Sequence, residues 1–223
     1  LLLVPALGLA QGPVQVTSSY GPVEYEFVSD ANFVPIDSKL PSLDIGDKIR
    51  TGEGAQLTMR LPDGSYIVVS ENTRLEIEKF WGSDIRNLMK VMLGRVRFFI
   101  QRLGGRPNPY RIDTPTALIA VRGTTFEVIA GPLATEVRCL DGRVTVETVG
   151  MQDREVILDA GRKTMVIAGE YPMRPIQMDD MFGGSRVLRV VSTDGEEAPV
   201  LGTLRSLDRV ARDNDRRNRQ IDP

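Results

Sequence analysis

The chain is predicted to be all-β, an antiparallel sandwich or roll of many short strands, and three observations predict it. Apolar residues recur with period two across the stretch 46–147. Glycine-centred turns punctuate that alternation, and helical spacing is largely absent from the same stretch. At 223 residues with 41% apolar side chains, the chain can bury one sizeable core.

The first element is a leader. Leu1 to Ala10 is a short apolar run with small residues at Gly8 and Ala10, after which the chain turns polar. It reads as a signal-peptide remnant over residues 1–10, with the mature chain starting near Gln11 and a basic segment expected upstream. No other stretch is apolar for long enough to make a transmembrane helix, so no integral membrane span is expected in the mature chain.

The β domain is expected over 14–178. In Gln56–Leu61 the residues Leu57, Met59 and Leu61 share one face. Asp63-Gly64 then tolerates positive φ, so the chain is expected to reverse in a hairpin into Ser65–Val69. Alternation resumes in Arg74–Glu78 and in Arg95–Ile100, where Val96, Phe98 and Ile100 point inward. Between these strands Ile85, Leu88, Met89 and Met92 fall at helical spacing, which predicts one short helix near 83–92 before Gly94 stops it. Thr116–Val121 is nearly all apolar and reads as a central strand covered on both faces. Phe126, Val128, Val137, Cys139, Val144 and Val146 continue the inward set. Leu93-Gly94-Arg95-Val96, Asp141-Gly142-Arg143-Val144 and Ala160-Gly161-Arg162 echo one another at unequal spacing, so they read as recurring hairpin chemistry and not as a repeat array. Beyond residue 178 the organisation changes. A flexible C-terminal extension is expected over 179–223, with a short strand at Arg186–Val191 and a short helix through Leu204, Leu207, Val210 and Ala211, or else a frayed, solvated end.

Composition excludes several chemistries. There is no histidine and only one cysteine, Cys139, so Ser-His-Asp and Cys-His sites, His-ligated zinc and an intramolecular disulfide are all ruled out. The net charge of −2 supplies no global field for nucleic acid, and the basic run Arg216 to Arg219 is offset by Asp208, Asp213 and Asp215. No nucleic-acid partner is expected.

A series of short blocks follows one another along the chain: Gly46-Asp47-Lys48-Ile49-Arg50-Thr51-Gly52, Leu61-Pro62-Asp63-Gly64-Ser65, Thr73-Arg74-Leu75-Glu76-Ile77 and Leu93-Gly94-Arg95-Val96. Tyr110 to Pro115, Ala120 to Val128 and Cys139 to Val146 complete the set. In this order the blocks resemble the FecR-type domain family. The resemblance implies a periplasmic β domain without catalytic residues, of the kind that relays occupancy of an outer-membrane receptor to a cytoplasmic sigma factor. The cleavable leader departs from the membrane-anchored plan of those regulators and favours a stand-alone envelope module.

No catalytic residue, cofactor or metal site is predicted. Gly123 with Thr124-Thr125 offers either an anion nest or a bulge and close backbone approach, and the latter is preferred. Asp37, Asp44, Asp47 and Glu53 read as solvated loop acids without calcium-loop spacing. Glu76 and Glu78 offer paired carboxylates or, preferably, a solvent-facing stripe beside Arg74. Cys139 alternates with Val137 and reads as a buried, inert thiol. Trp81 and Tyr110 are the binding candidates, since exposed aromatics line sugar and peptide sites; the competing reading makes Trp81 a loop cap. The function expected is non-enzymatic: a periplasmic or secreted binding or sensory module engaging an envelope protein or polysaccharide. The alternatives are a carboxylate-based cell-wall hydrolase and a structural adhesion or assembly subunit.

Overall fold

The computed structural model describes residues 14–30, 32–37, 39–78, 86–102, 105, 108–178, 187–191 and 197–201. The predicted leader, Trp81 and the tail helix lie outside them. The strands are β1 (Val14–Tyr20), β2 (Val23–Glu26), β3 (Val34–Pro35), β4 (Ser42–Leu43), β5 (Lys48–Thr51) and β6 (Gln56–Arg60). Then come β7 (Tyr66–Val69), β8 (Arg74–Ile77), β9 (Arg86–Phe99), β10 (Pro109–Asp113), β11 (Ala117–Arg122) and β12 (Thr125–Ala130). The series closes with β13 (Ala134–Asp141), β14 (Arg143–Thr148), β15 (Met151–Asp159), β16 (Arg162–Ile167), β17 (Ile176–Gln177), β18 (Val187–Val191) and β19 (Glu197–Leu201). The described residues contain no helix, so the all-β expectation holds.

Strands β1 to β17 form one continuous hydrogen-bonded sheet folded into two layers. The first layer runs β4, β1, β6, β7, β9, β12, β13, β16, β17. The second runs β3, β2, β5, β8, β9, β10, β11, β14, β15. Strand β9 belongs to both: residues 86–93 pair with β10 and β8 in the second layer, and residues 94–99 pair with β12 and β7 in the first. Every pairing is antiparallel except β9 with β10. β18 and β19 pair antiparallel in a separate two-stranded sheet, so the predicted tail strand is present.

Inward faces of both layers meet in one core. Leu57, Met59, Ile67, Val69, Leu75, Val96, Phe98, Phe126, Val128, Val137, Val144 and Val146 are fully buried in it. Phe98 and Phe126, cross-strand neighbours, stack with centroids 4.7 Å apart. Removing each such side chain from water stabilises the fold by about 1.5–3 kcal/mol.

Two expectations change. The helix near 83–92 is replaced, over the described residues 86–92, by the first half of β9. The helical spacing is produced by two register shifts. Opposite β10 the pairing passes from Asn87 to Met89, so Leu88 and Met89 are buried in succession; opposite β8 it passes from Leu93 to Val91. Such bulges break the alternation that identifies a strand. The glycine echoes are also not hairpins. Gly94 lies inside β9 where the strand passes between layers, Gly142 joins β13 in the first layer to β14 in the second, and Gly161 joins β15 in the second to β16 in the first. Each has positive φ, as a sharp corner requires. The Asp63-Gly64 hairpin between β6 and β7 is as predicted.

Candidate functional site

The blocks that carry the family resemblance are first of all used to build the fold. Asp47 is buried, and its two carboxylate oxygens accept the backbone N–H groups of Val28 (3.0 Å) and Asp44 (2.8 Å). It is not a solvated loop acid. The buried Thr73 accepts the Arg95 N–H at 3.0 Å through Oγ1, while its own N–H donates to Thr51 Oγ1 at 2.9 Å. Gly94 lies so close to Thr73 that an added Cβ would fall 2.5 Å from the Thr73 Cα.

Tyr110 is placed in the core, 1% exposed, with its hydroxyl donating to Asp63 Oδ2 at 2.7 Å. Asn108 Nδ2 donates to the same oxygen, and the Ser65 N–H donates to Oδ1 at 2.8 Å. Burial pushes the Asp63 carboxyl up, but the hydrogen bonds from Tyr110, Asn108 and Ser65 outweigh it and hold the group below its ordinary value. As a binding candidate Tyr110 therefore offers little surface.

Of the carboxylates weighed for hydrolysis, Glu76 lies within β8 and Glu78 just beyond its end. Arg74 is exposed beside the half-buried Glu76, as a solvent-facing stripe would have it, but Glu78 departs from that reading. Glu78 Oε2 is buried without a hydrogen-bond partner, and burial, then the neighbouring Asp113, push its pKa up. Glu127 is 2% exposed between Arg97 (2.9 Å) and Arg138 (3.2 Å), in a charge ladder that continues through Glu136 to Lys163 at 3.7 Å. Cys139 is fully buried, and burial together with Asp141 and Asp159 raises its thiol to about 11, consistent with an inert role. Among the described residues no three metal-ligating side chains converge.

What does open to solvent is a groove of about 780 Å³ across the outer face of β10, β11, β14 and β15. Its floor is low because Ala120 and Thr145, directly opposite each other on β11 and β14, carry small side chains. Arg102, Arg122 and Arg143 gather at the end where Gly123 and Gly142 turn their corners. The Arg102 stem packs against Gly123, at the place any side chain there would occupy. Gly123 is thus a corner between β11 and β12 with the predicted close approach, and not a bulge within a strand. Glu147 and Glu155 stand at the groove's other end. Sequence reading missed this feature. Its trace was the arginine that adjoins each corner glycine in Arg122-Gly123 and Gly142-Arg143.

Residues 47–145 match the family described as FecR protein. Crystal structures at 1.65 and 2.50 Å of a proposed anti-sigma factor from Parabacteroides distasonis ATCC 8503 align with a TM-score of 0.50 at 23% identity, over 59% of this chain and 60% of that one. The likeness is one of fold, and the match spans about three fifths of the neighbour's length. No curated protein matches the chain. The matched segment, a little under half of the chain, holds the ordered blocks and the shared strand β9, and over that segment the chain is similar to the FecR family.

Proposed function

We propose that the chain is a non-enzymatic binding and sensory module of the cell envelope, periplasmic or secreted, that engages another envelope protein in signal transduction. The observation that carries this reading is how the conspicuous polar residues are used. Asp47, Asp63, Thr73 and Glu127 are occupied by backbone or side-chain partners within the fold, while the open groove is lined by exposed and half-buried charges on a rigid sheet. A charged surface on a fixed scaffold suits recognition of a partner better than acid-base turnover. The FecR match and the description of the structural neighbour as an anti-sigma factor support a signalling role. The apolar run Leu1 to Ala10, read as a leader, is the support for export.

The test is crosslinking and pull-down from an envelope fraction with the full chain, run beside a hydrolysis assay on purified cell-wall polysaccharide. The expected result is one captured protein and no polysaccharide turnover. Hydrolysis that Glu76→Gln or Glu78→Gln abolishes would overturn the reading, because loss of one positioned carboxylate commonly removes two to four orders of magnitude in rate (roughly 10²–10⁴).

A further inference from the structure

The two ends of the groove hold charges that the fold leaves uncompensated. Glu147 on β14 and Glu155 on β15 are direct cross-strand partners, and like charges so placed destabilise a sheet. Neither carboxylate has an ion-pair partner among the described residues; Arg111, on which Glu147 acts weakly, is already bonded to Asp113 at 2.7 Å. At the corner end, Arg102 and Arg122 are exposed and have no acidic partner among the described residues. Arg143 is joined to Asp159 at 3.0 Å, but both side chains are about two thirds exposed, so that pair contributes little.

The spacing between the ends is fixed by the strands. Arg143 and Glu147 lie four residues apart on β14, which is about 13 Å along an extended strand. The shallow floor at Ala120 and Thr145 lies between them. A ligand that satisfied both ends would carry a negative group and a positive group about 13 Å apart, with small or extended structure between them. A uniformly anionic polymer would satisfy the arginines and be repelled by the glutamates.

We infer that this groove binds an extended polypeptide segment of a partner protein, with an acidic side chain at the Arg102, Arg122 and Arg143 end and a basic side chain four residues away at the Glu147 and Glu155 end. The inference rests on the protein-binding reading above and adds the partner's chemistry to it.

The experiment uses the purified chain and blocked pentapeptides with a threonine-valine-threonine interior, followed by amide chemical shifts. The peptide with glutamate first and lysine fifth is expected to bind at least about fivefold more tightly than the peptides with two glutamates or two lysines, with shifts at Ala120 and Thr145. Arg122→Glu with Arg143→Glu should weaken the mixed peptide roughly tenfold, the scale of two exposed ion pairs lost and reversed. Adding Glu147→Lys and Glu155→Lys should restore tight binding for the peptide of reversed order, lysine first and glutamate fifth, since the two ends have then exchanged sign apart from Arg102. The inference fails if the three peptides bind equally, if the groove amides do not move at millimolar peptide, if the fourfold variant does not bind the reversed peptide, or if the two-glutamate peptide binds best, which would indicate an anionic polymer. If the envelope partner is captured equally by wild type and by the double arginine variant, the groove is not its seat and the signalling reading stands without it.

Discussion

The Tyr110 hydroxyl donates to Asp63 Oδ2 across 47 residues of sequence, tying the β6–β7 turn to the start of β10. That one carboxylate also takes Asn108 and the backbone of Ser65, so it fixes its own turn and anchors a strand of the other layer. Asp63→Asn is expected to destabilise the domain by about 1.5–3 kcal/mol, as loss of charge-assisted bonds does, and Tyr110→Phe by about 1 kcal/mol. Urea unfolding of both singles and the double should give a total smaller than the sum, because each removes the shared bond.

Acid should act on Asp63 and Glu78 in opposite directions. Asp63 is held below its ordinary 3.8, so its contribution is present above that value and is lost as pH falls through the folded pKa. Glu78 is raised above 4.5, so its contribution is present below that value and is lost as pH rises through the folded pKa. Glu78→Gln should therefore melt higher than wild type at pH 7, with the advantage disappearing near pH 4. A variant that melts lower at pH 7 would contradict the buried, unpartnered carboxylate.

Corner glycines should differ in tolerance according to what surrounds them. Gly54→Ala, at φ +68° with open space around it, is expected to cost about 1 kcal/mol. Gly94→Ala, at φ +95° against Thr73, should cost about 3 kcal/mol or more, because backbone must move as well. Equal urea midpoints for the two variants would refute the close approach.

Glu127 should behave as a structural residue. Glu127→Gln leaves Arg138 short of one buried partner, and a loss of about 1–3 kcal/mol is expected, moderated by the half-exposed Arg97. Thermal melts at low and high salt should show the loss in both, since the buried carboxylate is poorly screened.

Cys139 should resist alkylation in the native state. With its thiol at about 11 and no exposed surface, iodoacetamide at pH 8 is expected to label it only at the rate of unfolding. Rapid native labelling would place the thiol elsewhere.

Period-two alternation located most of the strands because burial on one face is a local property of the chain. Leu57, Met59, Val96, Phe98, Val144 and Val146 all point where their spacing indicates. It failed where pairing is irregular. The bulges around Leu88 and Met92 are set by β10 and β8, partners distant in sequence, and they converted a strand into an apparent helical face. The corner at Gly142 was misread for a related reason: a glycine turn fixes a change of direction but not which layer the next strand joins. The groove was illegible because its members come from β11, β14 and β15 and from the segment after β9, and only register brings Ala120 opposite Thr145 and Glu147 opposite Glu155. Tyr110 was read as an exposed binding aromatic, whereas it is buried, and its partner Asp63 lies in a turn that sequence reading used only for its backbone.

The sharing of β9 between both layers bears on how the chain is made. Until residues 86–99 leave the ribosome, β7 and β8 each present an unpaired edge, because β9 is the neighbour both of them require. Everything before it is half of two unfinished sheets, and everything after it needs β9 as a template for β10 and β12. Nascent chains stalled shortly before residue 86 should therefore be the most prone to aggregate, through edges seeking any available strand. Once β9 has emerged, both flanks gain their partner from the same segment.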